Sequence, residues 1–194
     1  MVRMLVTRPE PDASETARRL GALDIETVID PLLIAETLPT TLPDTRGFAA
    51  LAVTSGNALR ALHDRGELPR FLRLPLYAVG DRTAELAKTM GFAEVVSARG
   101  DFGDLVTLLA KAGIGGPVLY PAARHQAGDL GKALAPHGIM VITAAVYAMA
   151  AAPQLSDTAR THLDAGTLHA ALFYSRRTAE TFAALAGGLR DKAK

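Results

Sequence analysis

The sequence contains no cysteine and no tryptophan. Without cysteine there is no disulfide, no thiol nucleophile and no thiolate metal site. Six phenylalanines and four tyrosines among 194 residues leave little aromatic surface on which nucleobases could stack. These absences argue against a disulfide-stabilised protein, a thiol-dependent enzyme and a nucleic-acid-binding protein.

The sequence also lacks an excess of charge and a long apolar run. Twenty-one basic and twenty acidic side chains leave a formal net charge of +1, which favours neither nucleic acid nor an anionic membrane as partner. The first residues, MVRMLVTRPEPD, lack the apolar core of a signal peptide, and no apolar run reaches membrane-spanning length. We therefore expect a cytoplasmic protein, in which any selectivity for anions comes from local groups.

Motifs of several enzyme classes are missing. GIGGP, at Gly113 to Pro117, precedes a predicted strand and lacks the third glycine of a dinucleotide-binding fingerprint, and no G-x-S-x-G elbow indicates a serine hydrolase. The histidines show no metal-ligand spacing, so we expect no metal site. They are His63, His125, His137, His162 and His169.

What the sequence does have is a repeated pattern in which an apolar run ends at a small or polar turn and a helix follows. Such alternation predicts parallel sheets covered by helices. Gly91 and Gly138 stand where two of the helices should end. The five pairs are RMLVTRP with DASETARRLGAL, LAVTSGN with ALRALHDRG, LYAVGDR with TAELAKTMGF, PVLYPAARH with QAGDLGKALAPHG, and ALFYSRR with TAETFAALAGG; TVIDPLL, EVVSA and MVITAAVYA are further short strands.

Two stretches have the composition of connections between domains. PLLIAETLPTTLPDTRG is rich in proline and threonine, and VYAMAAAPQLSD is rich in alanine and broken by Pro153. If both are linkers, residues 37–148 form a continuous domain that is inserted into another. That other domain, the first, is then discontinuous and consists of residues 1–36 and 149–194.

The turns that follow the predicted strands carry hydroxyl, guanidinium and glycine residues. In parallel sheets these turns gather at one edge, where helix N-termini present free N–H groups. Arginine forks suit carboxylates and phosphates, so the set predicts a receptor for a polyanion, although solvated helix caps would also explain it. The residues are Arg8, Thr54, Ser55, Asn57, Gly80, Arg82, Thr83, Arg124, Ser175, Arg176 and Arg177.

In order and spacing these segments resemble the uroporphyrinogen-III synthase family over nearly the whole chain. The resemblance rests on VTRP, VTSGNAL, YAVGDRTAELAKTMGF, VLYPAARHQAGDLGKAL with HGI, AAVYAM and LFYSRRTAETF. It implies two flavodoxin-like parallel-sheet domains of the α/β class, one inserted in the other and joined by a two-stranded linker. It also implies a hydro-lyase without cofactor, which cyclises hydroxymethylbilane to uroporphyrinogen III with inversion of the last pyrrole ring in haem biosynthesis. That substrate is rich in carboxylates, as the predicted polyanion receptor requires.

The resemblance also implies roles for individual residues. Tyr147 is the leading candidate to help the departing hydroxyl group, although a tyrosine in an alternating apolar stretch is more often packing. Thr83 matches a family threonine at the site, although it stands at a helix start where capping alone would explain it. The implied substrate-binding residues are Arg8, Ser55, Asn57, Gly80, Arg124, Ser175 and Arg176, and we expect some of the three arginines to point into solvent.

One departure from the family concerns the end of the chain. Family members continue beyond the helix that here ends in LAGGLRDKAK, and they add further strand-helix units to the first domain. Without those units the discontinuous domain would have only about three strands, with an exposed sheet edge. We expect either that a C-terminal segment is missing from this sequence or that the chain is a reduced homologue that pairs with another.

The sequence leads to three hypotheses about function. The first is the synthase, expected to be a monomer that binds a small tetrapyrrole. The second is a non-catalytic protein of the same fold that binds a tetrapyrrole or another anion, or has a regulatory role. The third is a flavin-binding flavodoxin relative, against which the strand-end turns and the lack of paired aromatic residues argue.

Overall fold

The computed structural model describes residues 2–44, 46–126 and 128–187. The chain divides into two compact units: unit 1 is Met1–Ala35 with Met149–Lys194, and unit 2 is Glu36–Ala148. Glu36, which the sequence analysis assigned to the discontinuous domain, therefore falls in unit 2. In the part of the chain that the structure describes, no helix is long and apolar enough to cross a membrane.

Strands and helices alternate along most of the chain, except that the second, third and fourth strands follow one another directly. Two 3₁₀ turns are Leu68–Arg70 and Ala135–His137. The described elements are β1 Arg3–Val6, α1 Asp12–Gly21, β2 Glu26–Ile29, β3 Leu33–Thr37, β4 Ala50–Val53, α2 Gly56–Asp64, β5 Leu76–Ala78, α3 Asp81–Thr89, β6 Val95–Ser97, α4 Phe102–Lys111, β7 Val118–Ala123, α5 Leu130–Leu134, β8 Val141–Ala151, α6 Asp157–Asp164, β9 Ala170–Leu172 and α7 Arg176–Ala186.

Unit 1 has a three-stranded sheet in the order β2-β1-β9. Both neighbours run parallel to β1, with Met4 opposite Thr27 on one side and Ala170 on the other. Leu5 and Val6 of this central strand are fully buried, as expected for a strand that is covered on both faces. Leu5 packs with Leu32 and Leu155 in the core of the unit. Within the described residues, the predicted number of about three strands is confirmed.

The longer sheet has the order β3-β8-β7-β4-β5-β6. The pairs among β4 to β8 are parallel, which confirms the predicted mixed α/β fold with parallel sheets. All four residues of β4, ALAV, are buried because the strand is central and both its faces are covered. On one face, Ala50 and Ala52 belong to a core cluster that also contains Leu105 and Leu109 of α4.

The two predicted linkers are paired strands. The N–H of Leu38 donates to the carbonyl of Val146 at 2.8 Å, and the N–H of Ala152 donates to that of Leu32 at 3.0 Å. The residue numbers of the partners in β8 decrease as those along β3 increase, so the two strands form an antiparallel ladder. The predicted strand TVIDPLL is wrong in detail, since β2 ends before Asp30 and β3 starts after the proline that follows it.

Other boundaries also differ from the sequence analysis. It did not identify α4, which begins behind a capping box in which Asp101 accepts from the N–H groups of Gly103 and Asp104. The helix predicted from Gln126 is shorter, because Asp129 caps it by accepting from the N–H of Lys132 at 3.0 Å. The glycine helix ends are confirmed, with φ of +98° at Gly91 and +70° at Gly138. The end of the last predicted helix, residues 188–194, lies outside the described residues.

Candidate functional site

The turn between β4 and α2 holds two of the predicted site residues of unit 2. Ser55 is the N-cap of α2, and its Oγ accepts from the N–H of Asn57 at 3.2 Å. The Oδ1 of Asn57 in turn accepts from Nη1 of Arg60 at 2.8 Å. Both residues are half-buried, so each keeps a polar surface at the carboxyl end of β4.

The turn between β5 and α3 holds Gly80 and Thr83. Gly80 is the N-cap of α3 and lies in extended backbone, with φ of −148°, so no side chain caps this helix. Thr83 is half-buried on the first turn, and its hydroxyl makes no hydrogen bond with any described residue. The capping explanation for Thr83 is therefore wrong, since Gly80 occupies the cap position. Arg82 beside it is exposed.

Tyr147 lies near the end of β8 and is only 7% exposed. The register with β7 is irregular here: Ala122 pairs with Ala145, but Ala123 pairs with Tyr147, so Val146 is an extra residue in β8. No hydrogen bond to the Tyr147 hydroxyl occurs within the described ranges. Because no fully buried side-chain polar atom of the described residues lacks a partner, that hydroxyl must reach the surface.

Tyr120 of β7 is a polar residue at this edge that the sequence analysis missed. Its phenol oxygen lies 3.0 Å from Oγ1 of Thr54, and the residue is 2% exposed. Burial raises the pKa of the Tyr120 phenol, a hydrogen bond that Thr54 would donate to the phenolate opposes that shift, and the nearby Tyr147 adds to it. Tyr120 stands within the apolar run PVLYPAA of β7, and its partner directly follows β4, a strand far from β7 in the sequence. No local signal could have identified the contact.

In unit 1, the turn between β9 and α7 holds Ser175, Arg176 and Arg177. Ser175 caps α7, and its Oγ lies 3.1 Å from the N–H and 2.7 Å from Oγ1 of Thr178. Arg176 points into solvent, with 91% of its side chain exposed, and donates to Glu180 at 2.7 Å. Arg177 donates to the carbonyl of Met149 at 2.6 Å. The turn therefore offers a satisfied cap and exposed cations.

Arg8, after β1, is bound within its own unit. It forms an ion pair with Asp12 at 2.6 Å and lies over the ring of Tyr174, 4.3 Å from the centroid. It also lines an open depression of about 540 Å³ with Leu20, Leu172 and Tyr174. An anion at this position would have to compete with Asp12 for the guanidinium group.

The sheet order brings the candidates of each unit to neighbouring strand ends. In unit 2, β8, β7, β4 and β5 are adjacent, so Tyr147, Tyr120, Thr54 and the turn of Gly80 follow one another along one edge. The exposed Arg124 follows β7 at the same edge. In unit 1, Arg8 and Ser175 follow the adjacent strands β1 and β9. Within the described ranges, no group of three His, Asp or Glu residues could hold a metal ion.

These features define an α/β protein with parallel sheets, whose strand ends present hydroxyl groups, helix N-termini and arginines, groups whose chemistry suits an anionic ligand. The family model described as uroporphyrinogen-III synthase HemD matches residues 14–194. The chain belongs to the uroporphyrinogen-III synthase family. The family prediction is thereby confirmed, and with it the predicted enzyme class of a cyclising lyase.

Solved structures show the same fold. The uroporphyrinogen-III synthetase of Helicobacter pylori is 21% identical, with a TM-score of 0.64 over 95% of this chain and 78% of that one. A mutant uroporphyrinogen III synthase of Thermus thermophilus is 20% identical, with a TM-score of 0.59 over 98% of this chain and 81% of that one. A search of curated proteins found no match.

Proposed function

We propose that this chain binds hydroxymethylbilane by its carboxylates and closes it, with loss of water, to uroporphyrinogen III. Family membership supports the reaction, and the donors at the strand ends of both units support the substrate class. In unit 2 the proposed carboxylate donors are Ser55, Asn57, Gly80 and Arg124. In unit 1 they are Arg8, Ser175 and Arg176.

The observation that carries the proposal is a pair of hydroxyl groups that form no hydrogen bond with the part of the chain that the structure describes. Thr83 and Tyr147 both lie at the carboxyl edge of the unit 2 sheet, and neither hydroxyl bonds to a described residue. The hydroxyls of Ser55 and Ser175, each at the start of a helix, are instead used as caps. A hydroxyl at this edge that forms no bond with a described residue is available to a ligand.

The first chemical step proposed is loss of the substrate hydroxyl group. The nitrogen of the terminal pyrrole pushes electrons toward the hydroxymethyl carbon, the C–O bond breaks, and an azafulvene cation forms. The departing oxygen leaves as water: Tyr147 donates the required proton, or it donates a hydrogen bond while solvent supplies the proton. Because this departure needs little help, Tyr147 assists the step and is not indispensable.

The second proposed task is to choose which carbon closes the ring. Without control the linear tetrapyrrole closes to the uninverted isomer, so the protein must stabilise the transition state in which the last ring is attacked at its substituted carbon. The substituted carbon of the last ring bonds to the azafulvene carbon in a spiro geometry, and its bond to the preceding methylene bridge breaks, which leaves an azafulvene cation on the third ring. That bridge then bonds to the free α-carbon of the last ring, whose proton is lost to water or to the phenolate of Tyr147. Carboxylate donors that hold the chain in this geometry act by proximity and orientation.

The architecture proposed for this function is that of two flavodoxin-like domains, residues 1–36 with 149–194 and residues 37–148, in a cytoplasmic monomer. The parallel strand order of each unit and the antiparallel pairing of β3 with β8 support the domain assignment. Light scattering on the protein as it elutes from a size-exclusion column measures its mass, and we expect the mass of one chain. A mass of two chains would contradict it.

The test of the proposed function is a product analysis. Hydroxymethylbilane is generated in situ, the protein is added, the products are oxidised, and the type I and type III uroporphyrin isomers are separated. An excess of type III over a protein-free control is the expected result. Only type I product, from a protein shown to be folded by circular dichroism, would contradict the proposal and favour a non-catalytic binding protein of this fold.

A further inference from the structure

Tyr120 lies in a part of the unit 2 core that otherwise consists mainly of aliphatic side chains. Its neighbours on the sheet, Ala50, Ala52 and Ala122, are small and buried, and they leave room for its ring. The ring thus extends from the middle of β7 to the end of β4, where its hydroxyl meets Thr54 at 3.0 Å. A buried phenol needs a hydrogen-bond partner, and this one has its partner at the carboxyl edge of the sheet.

The donor of this hydrogen bond follows from where the phenol proton of Tyr120 and the hydroxyl proton of Thr54 can each find an acceptor. If Thr54 donated to Tyr120, the phenol proton would need a second acceptor, and no other hydrogen bond of this phenol occurs among the described residues. A buried donor without a partner is costly, so the phenol donates to Thr54 Oγ1. The hydroxyl proton of Thr54 is then left for another acceptor. Because Thr54 is half-buried, whereas Tyr120 is almost fully buried, the threonine is the residue that a ligand could reach.

We propose that Tyr120 is a positioning residue, which donates to Thr54 and so orients the Thr54 hydroxyl to donate to a carboxylate of the substrate. The inference rests on the proposed function for the identity of that substrate. It makes Thr54 a substrate-binding residue and gives Tyr120 a role in affinity without contact with the ligand. Thr54 immediately precedes Ser55, so both donors would serve the same strand end.

The experiment compares single and double variants. Thr54→Val removes the donor and keeps the shape, Tyr120→Phe removes only the phenol oxygen, and Thr54→Ser retains the hydroxyl. The dissociation constant for uroporphyrin III is measured by fluorescence titration, and KM and kcat are measured with hydroxymethylbilane. We expect Thr54→Val to weaken binding and raise KM about tenfold, and Tyr120→Phe about threefold, both with little change in kcat.

Tyr77→Phe is the matched control. Tyr77 of β5 belongs to the same core cluster and is 8% exposed, and its hydroxyl bonds to no described residue. If Tyr120 acts through Thr54, the double variant binds no more weakly than Thr54→Val alone, and Thr54→Ser stays close to the wild type.

Three results would overturn the inference. The first is that Tyr120→Phe matches Tyr77→Phe in affinity and KM. The second is that the effects of Tyr120→Phe and Thr54→Val add. The third is that the wild-type protein neither binds uroporphyrin III nor turns over, which contradicts the proposed function as well. If the wild type binds but makes only the type I isomer, the proposed reaction fails alone, and the affinities of the variants still decide the role of Tyr120.

Discussion

The main-chain N–H of Arg124 donates to the carbonyl oxygen of Tyr147 at 2.8 Å. This bond lies just beyond the irregular pairing at which Val146 is the extra residue in β8. The backbone of β7 therefore fixes the position of Tyr147, and the exposed side chain of Arg124 has no part in it. The two side chains can accordingly be changed independently.

Replacement of Tyr147 by Phe removes the proposed donor and keeps the packed ring. We expect kcat to fall about a hundredfold, with activity left over because the hydroxyl group of the substrate departs with little help. Isomer-resolved product analysis measures the rate. Tyr174→Phe is the control, since Tyr174 is 53% exposed and its ring remains available to Arg8. Equal rates for Tyr147→Phe and the control would exclude the assigned role.

Thr83→Val separates a ligand-binding role from a capping role. Because Gly80 is the cap and the Thr83 hydroxyl has no described partner, we expect the free energy of unfolding to change by less than about 0.5 kcal/mol. We expect kcat/KM to fall about tenfold, as for one lost hydrogen bond to a charged group. Denaturant titration and steady-state kinetics give the two quantities. A large loss of stability with normal kinetics would show that the hydroxyl is structural.

Ser175 has a structural bond, so its two roles need two substitutions. Ser175→Ala removes the cap of α7, which should cost about 1 kcal/mol of unfolding free energy. Ser175→Asp keeps a cap but places a negative charge at the proposed carboxylate site, so KM should rise while stability is retained. Ser156→Ala, at the cap of α6, is the control that should affect stability alone. An unchanged KM in Ser175→Asp would remove Ser175 from the binding residues.

The ionisation of Asp30 should make the free energy of unfolding depend on pH. It is 6% exposed and accepts from the N–H of Ser156 at 3.1 and 3.2 Å. Burial raises the pKa of the Asp30 carboxyl, more than the hydrogen bonds to Ser156 lower it. The folded state therefore binds this proton more tightly, and the contribution of Asp30 to stability rises as pH falls from the raised pKa to the unfolded value of about 3.9.

Denaturant titrations across this range should show the wild type gaining stability relative to Asp30→Asn as the pH is lowered. Asp44→Asn is a comparison of opposite sign, because hydrogen bonds from Arg46 lower the pKa of Asp44 to about 2. The wild type should lose stability relative to that variant as pH falls from about 4 toward 2. Parallel pH profiles of the wild type and Asp30→Asn would contradict the argument.

The parts of the fold that local patterns determine were predictable. Apolar runs followed by turns located β1, β4, β5 and β7, and glycines located helix ends. Composition predicted β3 and β8 only as extended linkers, and the two-stranded linker was implied by the family resemblance alone, because pairing between residues so far apart in sequence leaves no local mark. The same reason hid the contact of Thr54 with Tyr120, which exists only because β4 and β7 are neighbours.

The predicted site residues differ in what the structure adds. For Thr83, the absence of a side-chain cap on α3 removes the alternative explanation. For Ser175 and Arg8, the bonds to Thr178 and Asp12 supply a structural role that the sequence could not reveal. A hydroxyl or an arginine at a strand end predicts a donor. Whether a neighbour already uses that donor depends on rotamers, which sequence patterns do not determine.

The ladder of β3 and β8 also affects the order in which the two units fold. Arg3 and His169, whose backbone and ring nitrogens lie 3.1 Å apart, are separated by 166 positions, and closing so long a loop costs conformational entropy. Once unit 2 has folded, the bond between Leu32 and Ala152 holds the two halves of unit 1 together. The inserted unit then works as a reversible crosslink, much as a disulfide does. We therefore expect unit 1 to assemble after unit 2 and to lose the pairing of β1 with β9 whenever unit 2 opens.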